Sequence, residues 1–80
     1  MDTLEKKIIK ICRKYKVKFL VNDDPALALK VNADGCHLGQ KDMSIVEAKK
    51  ILKNKIIGIT CHNSIKLVKK ALITGANYIA

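Results

Sequence analysis

An α/β fold with a parallel sheet is the class this sequence predicts, and three observations carry it. Short apolar runs alternate with amphipathic segments of helical period. Each run closes on a polar group: Asn22-Asp23, Gly39-Gln40-Lys41-Asp42 and Gly58-Ile59-Thr60. These endings recur at nearly even spacing, Asp42 following Asp23 by 19 positions and Thr60 following Asp42 by 18. Such an interval holds one turn, one short helix and one strand, the content of a βα unit. Right-handed βα repeats bring every strand's C-terminal end to the same side of the sheet, so residues distant in sequence converge on one surface.

The first element is a helix over residues 3–15, in which Leu4, Ile8, Ile11, Cys12 and Tyr15 recur at three- and four-residue steps and Asp2 or Thr3 is available as N-cap. A strand from Val17 to Asn22 follows, a compact apolar run suited to a sheet covered by helices. Asp24-Pro25 opens a short helix over residues 25–31, because aspartate caps free amides and proline at the first helical position loses no hydrogen bond. Asn32-Ala-Asp-Gly35 ends it, and the next strand runs from Cys36 to Gly39. Ser44 and Glu47 form an S-x-x-E capping box for a helix from Ile45 to Leu52. Ile56 to Cys61 is a third strand, and Asn63 or Ser64 caps a helix carrying Ile65, Leu67, Val68, Ala71 and Leu72, which Gly75 stops. Tyr78-Ile79-Ala80 begins a fourth strand. A weak internal repeat supports the series, since Asn32-Ala33-Asp34 and Gly75-Ala76-Asn77 are both helix-ending x-Ala-Asx turns that lead into a strand.

About four βα units with parallel strands fit either an open doubly wound sheet or part of a (β/α)₈ TIM barrel. No G-x-G-x-x-G or G-x-x-x-x-G-K-[ST] follows any strand, so the usual nucleotide-binding signatures of open sheets are absent and the partial barrel is the better fit. A complete barrel usually needs ~250 residues. The 80 residues here are therefore expected to be an incomplete barrel domain, a fragment, with open outer edges at residues 17–22 and 77–80 that invite association.

Composition narrows the function classes. Sixteen Lys+Arg against seven Asp+Glu give a formal charge of +9, which raises the question of nucleic acid. The lysines, however, sit at helical spacing on expected solvent faces: Lys6, Lys7, Lys10 and Lys14, then Lys49, Lys50 and Lys53, then Lys66, Lys69 and Lys70. With only Tyr15, Phe19 and Tyr78 as aromatics there is no stacking platform for bases, and no nucleic-acid partner is expected. Three dispersed cysteines, Cys12, Cys36 and Cys61, lack C-x-x-C spacing, and the N-terminus lacks a signal-peptide form. Both favour a reducing, cytoplasmic setting. Apolar runs fall far short of the ~20 residues a membrane span needs, so no membrane partner is expected.

Asp23 and Asp42 are the strongest chemical pair. Mg²⁺ is typically held by one or two carboxylates, waters and substrate phosphates, so aspartates on neighbouring strand ends are a sufficient protein ligand set. The plainer alternative is that Asp23 starts a turn and Asp42 sits near a helix N-terminus. Asn22 and Thr60 end their strands at corresponding levels, where an amide and a hydroxyl suit a heterocycle or a diphosphate oxygen, though both are also ordinary structural residues there. His37 reads as a packed interior histidine. His62 is better placed for function, but adjacent strand positions point to opposite faces, so Cys61 and His62 do not form a nucleophilic pair. The cysteines and histidines match no zinc site.

Phe19-Leu-Val-Asn-Asp23, Asp34-Gly-Cys-His-Leu-Gly-Gln-Lys-Asp42 and Gly58-Ile-Thr-Cys-His62 together resemble the thiamine phosphate synthase family over nearly the whole chain. The resemblance corresponds to the second through sixth strand region of that family's barrel. It implies a transferase of thiamine biosynthesis that joins 4-amino-2-methyl-5-(diphosphooxymethyl)pyrimidine to thiazole phosphate, releasing pyrophosphate, by way of a pyrimidine carbocation that the thiazole nitrogen captures. By the same resemblance, Asp23 and Asp42 are metal ligands for Mg²⁺, and Asn22 and Thr60 contact the pyrimidine diphosphate substrate. The related thiazole tautomerases are the runner-up, with His62 as a proton-transfer group; Asp42 after Gly39-Gln40 favours the synthase. A third reading is a basic, noncatalytic binding module. The family's Gln-x-Arg-x-x-Lys strand, its Thr-x-Thr-Lys loop and its glycine-rich thiazole-phosphate site have no counterpart in these 80 residues, so the chain alone is expected to keep the metal half of the site without synthase turnover.

Overall fold

A computed structural model describes residues 3–80. Eight elements alternate along the chain: α1 (Leu4–Lys14), β1 (Leu20–Asn22), α2 (Pro25–Lys30), β2 (Gly35–Leu38), α3 (Ile45–Leu52), β3 (Ile56–Ile59), α4 (Ile65–Thr74) and β4 (Tyr78–Ile79). The strands form one sheet in the order β1-β2-β3-β4, with every neighbouring pair parallel. Strand order never reverses among the described residues, so the sheet has no switch point of the doubly wound kind, as a section of barrel wall requires.

The helix signals act locally as their residue types dictate. Thr3 caps α1 by accepting from the Lys6 N–H at 3.2 Å, whereas Asp2, the alternative cap, lies outside the described residues. Asp24 caps α2 through the Leu27 N–H at 3.0 Å, with Pro25 at the first helical position. Ser44 caps α3 through the Glu47 N–H, and Ser64, not Asn63, caps α4 through the Leu67 N–H, each at 3.2 Å. Gly75 closes α4 in the left-handed conformation, φ 98°, that only glycine adopts without strain.

The core lies on one face of the sheet. Val21, Cys36, Leu38, Ile57 and Ile59 point into it from the strands and meet Ala28, Val31, Ile45, Ala48, Leu52 and Ala71 from the helices and their ends. Alanines at Ala28, Ala48 and Ala71 let helix backbones approach the strands closely. The other face carries Leu20, Asn22, His37, Gly58 and Tyr78, with no helix over it among the described residues. All ten lysines assigned to solvent faces are exposed, as their spacing implies.

The two x-Ala-Asx turns perform the same task at opposite sides of the sheet. Asp34 donates its N–H to the Phe19 carbonyl at 2.9 Å and accepts the Phe19 N–H on Oδ2 at 2.7 Å. Asn77 donates to the Ile57 carbonyl at 2.7 Å and accepts the Ile57 N–H on Oδ1 at 2.8 Å. Each turn residue thus clasps the preceding strand at its N-terminal end and sets the register of the pairing that follows.

All three strand bounds change, β2 spanning Gly35–Leu38 rather than Cys36–Gly39 because Gly39 belongs to the turn closed by Asp42. β1 begins at Leu20 rather than Val17, because Val17 and Lys18 have no neighbouring strand to pair with before Asp34 meets Phe19. β3 ends at Ile59 rather than Cys61, since β4 is two residues long and the chain turns at His62 and Asn63, both at positive φ. The apolar face of α1 is also rotated from its expected position. Ile9 is buried, flanked by half-buried Glu5, Ile8 and Cys12, while Leu4, Ile11 and Tyr15 are exposed. In this rotation Arg13 donates to the Asn32 carbonyl at 2.9 Å and ties α1 to the end of α2.

Candidate active site

Parallel register places Asn22 beside His37, His37 beside Gly58 and Gly58 beside Tyr78, so one residue from each strand forms a row across the open face. Above this row stand the loops that follow β1, β2 and β3. In the first, Asp23 has φ 69°, a left-handed conformation that aspartate tolerates because its short side chain can hydrogen-bond locally. Its N–H donates to the His37 carbonyl at 2.8 Å, which extends the ladder by one step and anchors the turn.

The loop after β2 is a tight turn in which the Asp42 N–H donates to the Gly39 carbonyl at 3.2 Å and Asp42 Oδ2 accepts the Gly39 N–H at 2.7 Å. A side chain at Gly39 would press on that same oxygen. Asp23 and Asp42 are brought together across the strand ends. The Asp23 carboxyl is pushed above the usual aspartate range first by its hydrogen bond with Asp42, then by the charge of Asp42 and by desolvation, against a lowering influence from His37. Two neighbouring carboxylates repel when both are ionised, a repulsion that a bound cation would relieve.

Thr60 follows β3 and is held on both sides. Its N–H donates to the Leu38 carbonyl at 3.0 Å, and its own carbonyl accepts from Gln40 Nε2 at 2.6 Å. Its hydroxyl lies 2.8 Å from His37 Nε2, while His37 Nδ1 lies 2.7 Å from the Tyr78 hydroxyl. The two rings stack with centroids 5.5 Å apart. Gly58 makes this contact sterically feasible, because a Cβ there would run into the Tyr78 ring.

Asn22 reaches the same rim, exposed, and its amide makes no hydrogen bond among the described residues. The four residues singled out in the sequence therefore converge. His37 is not simply packed: it is half-buried and joins Thr60 to Tyr78. His62 is exposed, at φ 49°, whereas neighbouring Cys61 is buried, and both lie beyond the end of β3, outside the strand in which they were expected. Burial raises the Cys36 thiol, which leaves it a core residue rather than a nucleophile. Sequence reasoning missed Gln40, Gly58 and Tyr78 as parts of the site. The usable signal was Gly58 itself, a glycine inside an apolar strand, which marks close approach by another group.

Asp23 and Asp42 are the residues that could hold a hard cation such as Mg²⁺. They offer hard oxygens, and no cluster of three or more His, Cys, Asp or Glu occurs among the described residues. A two-carboxylate set suits a cation that completes its shell with water and phosphate rather than one caged by protein.

Residues 1–80 match the family profile of thiamine monophosphate synthase along the entire chain. The chain belongs to the thiamine monophosphate synthase family. It is 73% identical over 75 residues to the thiamine-phosphate synthase of Pelagibacter ubique (strain HTCC1062), covering 94% of this chain and 36% of that protein. It is 49% identical over 71 residues to the thiamine-phosphate synthase of Marinobacter nauticus (strain ATCC 700491 / DSM 11845 / VT8), covering 88% of this chain and 32% of that protein. Among solved structures, thiamine phosphate pyrophosphorylase from Pyrococcus furiosus superposes with a TM-score of 0.91 at 38% identity, over 96% of this chain and 38% of that one. The chain thus spans about a third of the length of the thiamine monophosphate synthase relatives it matches. Among its described residues no helix is long and apolar enough to cross a membrane.

Proposed function

We propose that the chain supplies the metal-and-diphosphate corner of a thiamine phosphate synthase site, in an enzyme of the cytoplasm. The reaction joins 4-amino-2-methyl-5-(diphosphooxymethyl)pyrimidine to thiazole phosphate. The pyrimidine's methylene carbon exchanges its bond to a diphosphate oxygen for one to the thiazole nitrogen, and pyrophosphate leaves with the bonding electrons. The partners in this reading are these two small molecules. Neither nucleic acid nor membrane takes part.

The observation that supports the reading is that Asp23 and Asp42 follow the ends of two paired parallel strands, Asp23 anchored to the His37 carbonyl and Asp42 to the Gly39 N–H, near enough for Asp42 to raise the Asp23 carboxyl. In this reading the two hold Mg²⁺, which when bound neutralises charge gathering on the departing diphosphate. The chain's own residues position and orient. Asp42 is fixed by Gly39, whose N–H one of its carboxylate oxygens accepts, and the same carboxyl is the neighbour that raises Asp23. Asn22 and Thr60 flank the pair and offer an amide and a hydroxyl to the pyrimidine diphosphate, the hydroxyl held in place by His37, an arrangement that helps turn a bimolecular encounter into an oriented one.

A far-UV circular dichroism melt of the chain with and without Mg²⁺ and pyrophosphate tests the reading, since a ligand that binds only the folded state raises the midpoint. The expected result is a Mg²⁺-dependent rise that Asp42→Asn abolishes. Asparagine keeps an acceptor for the Gly39 N–H, so the turn survives the change. A rise of equal size in the variant would remove Asp42 from the metal site.

A further inference from the structure

Tyr78, His37 and Thr60 form a continuous hydrogen-bonded chain from the fourth strand to the rim, and the two ends of that chain are chemically unequal. Both ring nitrogens of His37 have an oxygen partner, which fixes the ring's orientation. A neutral imidazole carries one proton, so one nitrogen donates and the other accepts. A phenol is a good donor, and the Tyr78 hydroxyl lies against His37 Nδ1. Burial keeps that phenol protonated by raising it further above neutrality.

We propose that Tyr78 and His37 act as positioning residues that lock Thr60 as a hydrogen-bond donor toward whatever occupies the rim. Tyr78 donates to Nδ1, which puts the imidazole proton on Nε2. Nε2 then donates to Thr60 Oγ1. With its oxygen engaged as an acceptor, the Thr60 hydroxyl aims its single proton away from His37. An imidazolium would hold Thr60 in the same sense, because both nitrogens would then donate. Only the reversed tautomer, with the proton on Nδ1, would make Thr60 a donor to histidine, and it would leave the half-buried Tyr78 proton without an acceptor among the described residues. The group that meets Thr60 must therefore be an acceptor: a phosphate oxygen or an unprotonated ring nitrogen.

This inference rests on the reading that Thr60 faces the pyrimidine diphosphate, but its first test does not. Long-range ¹H–¹⁵N correlation of the His37 ring in the chain at neutral pH reads the tautomer directly. A protonated Nε2 is expected, with Tyr78→Phe shifting the population toward Nδ1–H. A predominant Nδ1–H form in the unaltered chain overturns the proposal whatever the chain binds.

The second test is binding of the pyrimidine diphosphate with Mg²⁺, compared with pyrophosphate and Mg²⁺. Thr60→Ser, which keeps the donor, is expected to bind like the unaltered chain, while Thr60→Val and Tyr78→Phe weaken binding by roughly two- to tenfold, the worth of one net hydrogen bond. Loss with both ligands assigns the acceptor to phosphate; loss with the pyrimidine diphosphate alone assigns it to the ring. Undiminished binding by Thr60→Val overturns the donor role. A protonated Nε2 without any Mg²⁺-dependent binding supports the relay's direction and removes the synthase reading instead, so the two failures are distinct.

Discussion

The Tyr78 ring lies against the Cα of Gly58, in the space a side chain there would take, and stacks on His37 at an interplanar angle of 28°. Gly58→Ala therefore does two things at once. The added methyl has no room unless Tyr78 moves, an overpacking that typically costs about 1–3 kcal/mol. Moving Tyr78 also takes its hydroxyl from His37. A lowered urea midpoint is expected together with a change in the His37 ring signals, and a variant with the original ring signals would show that Tyr78 is not seated by this glycine.

The Asp23 carboxyl, raised chiefly by Asp42, makes stability depend on pH with a definite sign. A folded pKa above the unfolded value means that the native state binds the proton more tightly. The contribution is fully present below the ordinary value of 3.8 and is lost as pH rises through the raised folded value. Asparagine suits the left-handed φ at this position and can donate to Asp42 at every pH. In chelator-treated buffer, Asp23→Asn is expected to melt with the unaltered chain in acid and above it at neutral pH. A difference in midpoint that does not vary with pH would contradict the carboxylate pairing.

Ile9 and Ile11 lie two residues apart on α1 but differ in burial, 3% against 60% exposed. Ile9→Ala should cost about 2–5 kcal/mol as a core truncation. Ile11→Ala should stay within about 0.5 kcal/mol. Urea denaturation of the two variants decides the rotation of the helix, and a larger loss from Ile11→Ala would return α1 to the face its periodicity suggests.

Most of the fold was legible because its signals are local. Asp24-Pro25, Ser44, Ser64 and Gly75 act within one helical turn, and each does what its side chain or missing side chain permits. The convergence of Asp23, Asp42, Asn22 and Thr60 was legible as well, since parallel βα repetition alone brings strand ends together. The face of α1 was not, because Ile8, Ile9, Ile11 and Cys12 offer two overlapping stripes, and the choice between them is made by contacts distant in sequence, Ile9 entering the core and Arg13 meeting the Asn32 carbonyl. Nor was the row from His37 to Tyr78, whose members are 41 residues apart and meet through strand register and the bare surface of Gly58.

Asp34 and Asn77 make the same pair of hydrogen bonds, one with a carboxylate and the other with an amide, so the clasp asks for an acceptor oxygen and is indifferent to charge. Both sit at the strands' N-terminal ends, and neither shares a bond with Asp23, Asp42 or Thr60. The alignment of the wall is thus decided at one rim and its chemistry at the other. Descendants of such a chain are free to rewrite the loops that meet the ligand, one at a time, while inheriting an unaltered frame.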